Sequence, residues 1–317
     1  MKNNFCLHIQ TTPSHFKYVY NFLESASKNI RNIENVPIYI IFDKSEEAEG
    51  FNKNLSSNLS IRALLMEEIV DSANLLIKES YENCLNPKDN LPIKWGAGGH
   101  RDYVAVKRSY SILALGNLGF KHVWCLDSES YILKSFDINE FIDKNLQKPS
   151  LLIGSGISGV RYPFLFENLF GWNIGKTHPL RNINIRMNDF WIINTDYFQK
   201  MIEELQGFHK KGISYFMNGS EQSLYEYYLF KSIYEDKINL EPINIFGDMH
   251  GNRLFYDSYV KPKTNLSELA KFMNDYYFDL TNSYRGDYIN SMQKNDRGRQ
   301  LLELLNIKVA VSNYQGF

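Results

Sequence analysis

Residues 122–133, HVWCLDSESYIL, decide how the chain folds. The first part, His122–Leu126, is a short, mostly apolar run of the kind a buried strand uses. It is closed by Asp127, Ser128 and Glu129. In extended backbone, positions i and i+2 project to the same side, so Asp127 and Glu129 are expected together at a strand end. Two carboxylates in a dry site need a cation. A hard divalent ion such as Mg²⁺ or Mn²⁺ suits oxygen ligands, and such an ion can also hold a diphosphate. The competing reading is an exposed acidic turn after a strand.

Working outward, the stretch before this strand predicts a helix from Asp102 to Leu118, with Val106, Tyr110 and Leu113 on one face. Gly119 ends it, as glycine does at helix C-termini. Ahead of the helix, residues 86–101 (NPKDNLPIKWGAGGHR) read as a long irregular loop, a common place for function. Its Lys94, His100 and Arg101 flank glycine-rich backbone at a helix start, which favours anions. The run lacks the GK[ST] of a Walker loop and is not GxGxxG. Lys107 and Arg108 follow on the helix, read either as facing a phosphate or as solvated charges.

At the other end, Phe5–Gln10 reads as a buried first strand running into Thr11, Thr12 and Pro13. Phe16, Val19, Tyr20, Leu23 and Ala26 then recur at helical spacing, with Ser14 as the expected N-cap. Residues 37–42, PIYIIF, form a second buried strand closed by Asp43. This β-α-β start predicts a parallel pair. Residues 44–60 read as loop and weak helix, and 61–82 as a strand and a helix. Further strands are expected at Leu151–Ile153 and Phe190–Asn194, and helices at Asp196 to about Leu205 and about Ser220 to Tyr234. The stretch Asn265–Leu280 is amphipathic, and 281–317 reads as more helix with a strand-like IKVAV. The sum is an α/β protein with helices on both faces of its sheet. Ligands of such sheets bind beyond the carboxyl ends of the strands, which picks out Thr11, Asp43 and Asp127.

Composition sets the outer limits. The chain has 317 residues, 44% hydrophobic and 22% charged, enough for a sizeable core. The net charge of -1 gives no bulk attraction to nucleic acid. Three cysteines form no even framework and no zinc spacing, which fits a reducing compartment. The first residues do not read as a signal peptide, and no window approaches the length of a membrane span. A cytoplasmic protein is expected, with peripheral contact at the inner membrane face compatible with the sequence. Aromatics reach 15%. Tyr162, Trp172 and Trp191 are candidates for stacking on sugar rings, although most aromatics in any domain are core.

The order basic loop, helix, glycine, buried strand, acid-x-acid resembles the nucleotide-binding half of GT-A type glycosyltransferases, with DxE in place of their DxD. The match spans roughly residues 5–250. It implies a GT-A (Rossmann-like) mixed sheet flanked by helices, with residues 1–260 as the catalytic domain and 261–317 as a helical extension packed on it. Within the domain, 1–133 would bind the nucleotide sugar and 134–260 the acceptor. FWIINTDYFQKMIEEL resembles the strand-helix unit on the acceptor side, and SEQSLYEYYLF resembles the helix-start acid below the sugar.

The resemblance implies a metal-dependent glycosyltransferase with Mn²⁺ or Mg²⁺ on Asp127 and Glu129. His250, in FGDMHGNRL, would complete the metal shell. Asp43 and Thr11 would meet the nucleoside, and Lys94, His100, Arg101 or Lys107 the phosphates. Glu221 would be the general base, which implies inversion at the anomeric carbon; a helix-capping acid is its plain alternative. The expected partners are a nucleotide-sugar donor, a UDP-sugar first, and a glycan or lipid-linked acceptor, in bacterial capsule or lipopolysaccharide synthesis. Two other readings stand beside it: a nucleotidyltransferase, disfavoured by TTPSHF where a glycine-rich loop belongs, and a non-catalytic nucleotide-sugar or glycan binder on the same scaffold.

Overall fold

The structure is a computed structural model. It describes residues 4–55, 57–69, 99–128, 130–132, 135–152, 171, 173, 191–208, 223–240, 246–248, 265–274, 277–279 and 296–306. Seven strands form one sheet: β1 (Phe5–Gln10), β2 (Ile38–Phe42), β3 (Ile61–Leu65), β4 (His122–Leu126), β5 (Ser150–Leu152), β6 (Trp191–Asn194) and β7 (Ile238–Leu240). Their order is β3-β2-β1-β4-β6-β5-β7. Strands β3, β2, β1 and β4 run parallel, whereas β6 is antiparallel to both β4 and β5. The expected α/β sheet with flanking helices is therefore present, and it is mixed.

Chain order explains the layers. Strand β1 is buried along its whole length, so it reads as a continuous apolar run rather than an alternation. Its odd residues Phe5, Leu7 and Ile9 enter the main core with α1 (Phe16–Asn29), Trp124, Phe136 and Phe141. Phe16, Phe42 and Phe51 meet there with centroids 5.2–5.9 Å apart. Each such fully buried side chain contributes roughly 2–3 kcal/mol, enough to fix α1 and α2 (Ser45–Asn52) on this face. The even residues Cys6, His8 and Gln10 face the other way. They lie under α4 (Gly99–Asn117), which follows the short α3 (Met66–Ile69). Edge strand β3 is partly exposed, and its Arg62 stays over the Tyr39 ring; charge on an edge discourages pairing with another chain.

Two glycines have local reasons. Gly119 takes φ +94° as α4 ends. A Cβ at Gly116 would stand 3.0 Å from Thr195 Cβ, so glycine lets α4 pass close to the start of α6 (Thr195–Phe208). Thr195 fixes that start by donating from Oγ1 to Phe120 O at 2.7 Å.

Several expectations are corrected. Ser14 is not the cap of α1: Pro13–His15 forms a 3-10 turn, and His15 precedes the helix without a side-chain cap. Helix α4 begins at Gly99, inside the stretch read as loop. Helix α5 (Ile138–Asn145) was not foreseen; Asp137 caps it, accepting from Asn139 and Glu140 amides. The small parallel pair Ile30–Arg31 with Phe136–Asp137 was also missed. Helix α7 spans Ser223–Tyr234. The amphipathic stretch gives α8 (Leu266–Asn274), but Tyr277–Asp279 is a strand paired with Phe246–Asp248. Helix α9 (Asp296–Leu304) closes the described chain, and IKVAV lies outside it. Cys6 and Cys125 are buried and free, and burial pushes the Cys125 thiol up to about 12. Among the described residues no helix is long and apolar enough to cross a membrane.

Candidate active site

The sheet order reverses beside β1: β2 lies on one side and β4 on the other. Such a switch point opens a crevice at the carboxyl ends of the strands. Thr11 follows β1, Asp43 follows β2, and Asp127 follows β4. Across the crevice, His15 Nδ1 and Ser128 Oγ are 3.0 Å apart, joining the loop after β1 to the turn after β4.

Helix α4 brings two consecutive cations to this rim. Lys107 Nζ lies 2.9 Å from Asp43 Oδ1 and donates to Thr11 O at 3.0 Å. Arg108 pairs with Asp127 through Nη2 and Oδ1. Lys107 is 2% exposed and Arg108 5%, so neither is a solvated surface charge. Lys107 is also not open to a diphosphate in the way the sequence suggested; it ties the ends of β1 and β2 to α4. Asp127 is the more accessible acid, with its side chain 25% exposed. Charges paired at low exposure hold one another firmly, because deleting one strands the other.

Glu47, which sequence reasoning passed over, stands beside Asp43 and accepts its backbone N–H at 3.0 Å. Burial raises the Glu47 pKa, with the charge of Asp43 adding to the rise. The signal was available, since acids in a helix's first turn are favoured by its dipole.

Strand β4 stops at Leu126, and Ser130 N donates to Asp127 O at 3.1 Å, closing a turn. The alternation that motivated pairing Asp127 with Glu129 thus ends before Asp127. Glu129, His250, Glu221 and Lys94 lie outside the described residues, as do Tyr162 and Trp172. His100 and Arg101 lie on the first turn of α4, and Trp191 opens β6. Of the residues assigned to a divalent cation, Asp127 lies among the described residues, and its Oδ1 is engaged by Arg108. Among the described residues no three His, Cys, Asp or Glu form a group that holds a metal.

No family model matches the sequence, and no curated protein matches it. Solved structures of similar path include the galactosyltransferase LgtC in complex with donor and acceptor sugar analogs, at TM-score 0.49 and 13% identity over 97% of both chains. Ktr4p, a mannosyltransferase of S. cerevisiae in complex with GDP, gives 0.49 and 12% over 75% of this chain and 68% of that one. Core-mannan synthase A of Aspergillus fumigatus, in its Mn/GDP form, gives 0.46 and 11% over 75% and 72%. At these identities the likeness concerns the course of the backbone and not its chemistry.

Proposed function

We propose that the chain is a glycosyltransferase that moves a sugar from a nucleoside-diphosphate sugar to a hydroxyl group of a glycan or glycolipid. The observation that carries this reading is the switch-point cluster: Asp43 and Asp127 at two strand ends, with Lys107 and Arg108 brought to them by one helix. Acids there can accept from ribose hydroxyls, and cations can meet phosphate.

In this reading the acceptor oxygen attacks the anomeric carbon, the bond from that carbon to the diphosphate oxygen breaks, and the diphosphate leaves with the electron pair. Glu221 takes the acceptor proton, and the product anomer is inverted. Arg108, Arg101, His100 and Lys94 supply positive charge to the leaving diphosphate, the electrostatic part of catalysis. Asp43, with Thr11 behind it, meets the nucleoside. Asp127, Glu129 and His250 would hold Mn²⁺ or Mg²⁺, which when bound supplies Lewis-acid stabilisation of the leaving group. Residues 1–260 are the catalytic unit, with 261–317 packed on it. A UDP-linked donor, a lipid-linked or glycan acceptor of a bacterial surface polysaccharide and a cytoplasmic site at the membrane face rest on the sequence resemblance alone.

A second reading, a nucleotide-sugar binder without turnover, is favoured by the Arg108–Asp127 pair, which already neutralises the acid a metal needs. A panel of nucleotide sugars incubated with Mn²⁺ separates the two. Release of free sugar and nucleoside diphosphate supports the transferase; binding without release supports the binder; neither one refutes both.

A further inference from the structure

Beneath the rim, one polar pair lies wholly inside the protein. His8 is the fourth residue of the otherwise largely apolar strand β1, and it is fully buried. Its Nε2 lies 2.6 Å from Ser111 Oγ on α4. Ser111 Oγ is also 2.8 Å from Lys107 O and 2.9 Å from Arg108 O. The hydroxyl therefore sits on the carbonyls of the two residues whose side chains engage Asp43 and Asp127. A hydroxyl has one proton to give. When it goes to a carbonyl of the helix, the ring supplies the proton of the His8–Ser111 bond. His8 is neutral here: burial and the neighbouring Arg108 push its pKa down to about 3. Burying a polar group is costly unless it is bonded; Nε2 is bonded, whereas Nδ1 is buried without a hydrogen-bond partner among the described residues. An apolar residue would pack the sheet at no such cost, and nothing about strand formation asks for histidine.

We propose that His8 is a positioning residue which, through Ser111, holds the turn of α4 that carries Lys107 and Arg108 in place over Asp43 and Asp127. The pair joins the middle of β1 to α4 directly below the crevice, so it fixes how α4 is rotated and how far it slides on the sheet. A shift of one ångström there would stretch both Lys107 contacts, at 2.9 Å to Asp43 and 3.0 Å to Thr11, beyond hydrogen-bonding distance. Its effect on donor binding rests on the function proposed above; its effect on Lys107 does not.

The test uses the full chain and four variants: His8→Leu, Ser111→Ala, the double variant, and His8→Gln, which keeps an N–H near the place of Nε2. The first readout is acylation of Lys107 by an amine-reactive reagent, followed by mass spectrometry, with Lys231 as the internal reference because it is ion-paired elsewhere, to Glu204 and Glu235. Loss of one ordinary hydrogen bond predicts about five- to tenfold faster labelling of Lys107 in His8→Leu and Ser111→Ala. The double variant should be no faster than either single one, because the two residues act as one link. His8→Gln should label close to the wild-type rate, and Lys231 should not change. Equal acceleration of Lys107 and Lys231 would mean a general loss of stability and would overturn the proposal, as would unchanged labelling of Lys107. The second readout is the dissociation constant for UDP and GDP in Mn²⁺, expected to rise by a similar factor in the same variants and to recover in His8→Gln. If the wild-type chain binds neither nucleotide, the proposed function fails while the labelling still decides the role of His8.

Discussion

Replacing Asp43 by Asn should destabilise the protein more than replacing its partner Lys107 by Met. The two groups are 2.9 Å apart. At an effective dielectric of about 20, that separation corresponds to about 6 kcal/mol of gross attraction. Asp43 is part-exposed, its side chain 17% accessible, while that of Lys107 is 3% accessible. Water already screens the acid, so only a fraction of the gross value survives. The consequences of deletion are unequal. In Asp43→Asn the ammonium stays buried, with Thr11 O and the introduced amide oxygen as neutral acceptors but without its counter-charge; a buried charge deprived of its partner in this way costs about 2–4 kcal/mol. Without the ammonium, Asp43 can turn to water and the methionine fills the channel, for a cost of about 1 kcal/mol. The double variant should therefore melt near Lys107→Met and above Asp43→Asn. Thermal unfolding followed by circular dichroism, at one scan rate, gives the ranking; the Asp43→Asn drop should be about 3–6 °C for a chain of 317 residues. If Asp43→Asn is no worse than Lys107→Met, or the two losses simply add, the buried pair does not organise this rim.

Other outcomes follow from the proposed function and from the burial of His8. Asp127→Asn should abolish sugar transfer with the circular dichroism spectrum unchanged below the melting transition, and should lower the melting temperature because Arg108 stays buried without its counter-charge. Glu221→Gln should lower turnover by roughly 10²–10⁴-fold with little change in donor affinity, and NMR of the first-formed product should show an inverted anomer. His8 binds a proton in the unfolded chain below its ordinary pKa of 6.5 but not in the folded protein until about pH 3. Its contribution to stability is thus full above about pH 6.5 and is lost as the pH falls through that window, by up to ~1.4 kcal/mol per pH unit. Denaturant unfolding at pH 7 and pH 5 should show this slope, and His8→Gln should reduce it by one proton's worth.

The strands that build the crevice were legible because burial on both faces makes them largely apolar runs, each closed by a polar residue: Gln10 and Thr11, Asp43, Asp127. The antiparallel direction of β6 was not legible, since an apolar run carries no sign of direction. β7 has three residues and too few positions for any period to show. The start of α4 was hidden by Gly99, which reads as a breaker, and the capping of α1 by Pro13, which holds a 3-10 turn instead. The burial of Lys107 and Arg108 had a signal that charge obscured. Lys107 lies on the helix face of Ser111, Ala114 and Leu115, and Arg108 on that of Ile112 and Leu115, all buried. Their partners were beyond reach, because pairing α4 with the ends of β2 and β4 depends on the sheet order. His8 had a signal too: a histidine inside a strand buried end to end must find a partner.

The central claim is that the crevice between β1 and β4 is where a nucleoside-diphosphate sugar binds. The most direct measurement is a crystal structure of the chain soaked with a nucleotide sugar and Mn²⁺, chosen from those that raise the melting temperature. The nucleoside should lie beside Asp43 and the diphosphate on the Asp127 side of the crevice, with Arg108 within reach of it. A nucleotide bound elsewhere, with Asp43–Lys107 and Asp127–Arg108 undisturbed and the crevice empty, would contradict it.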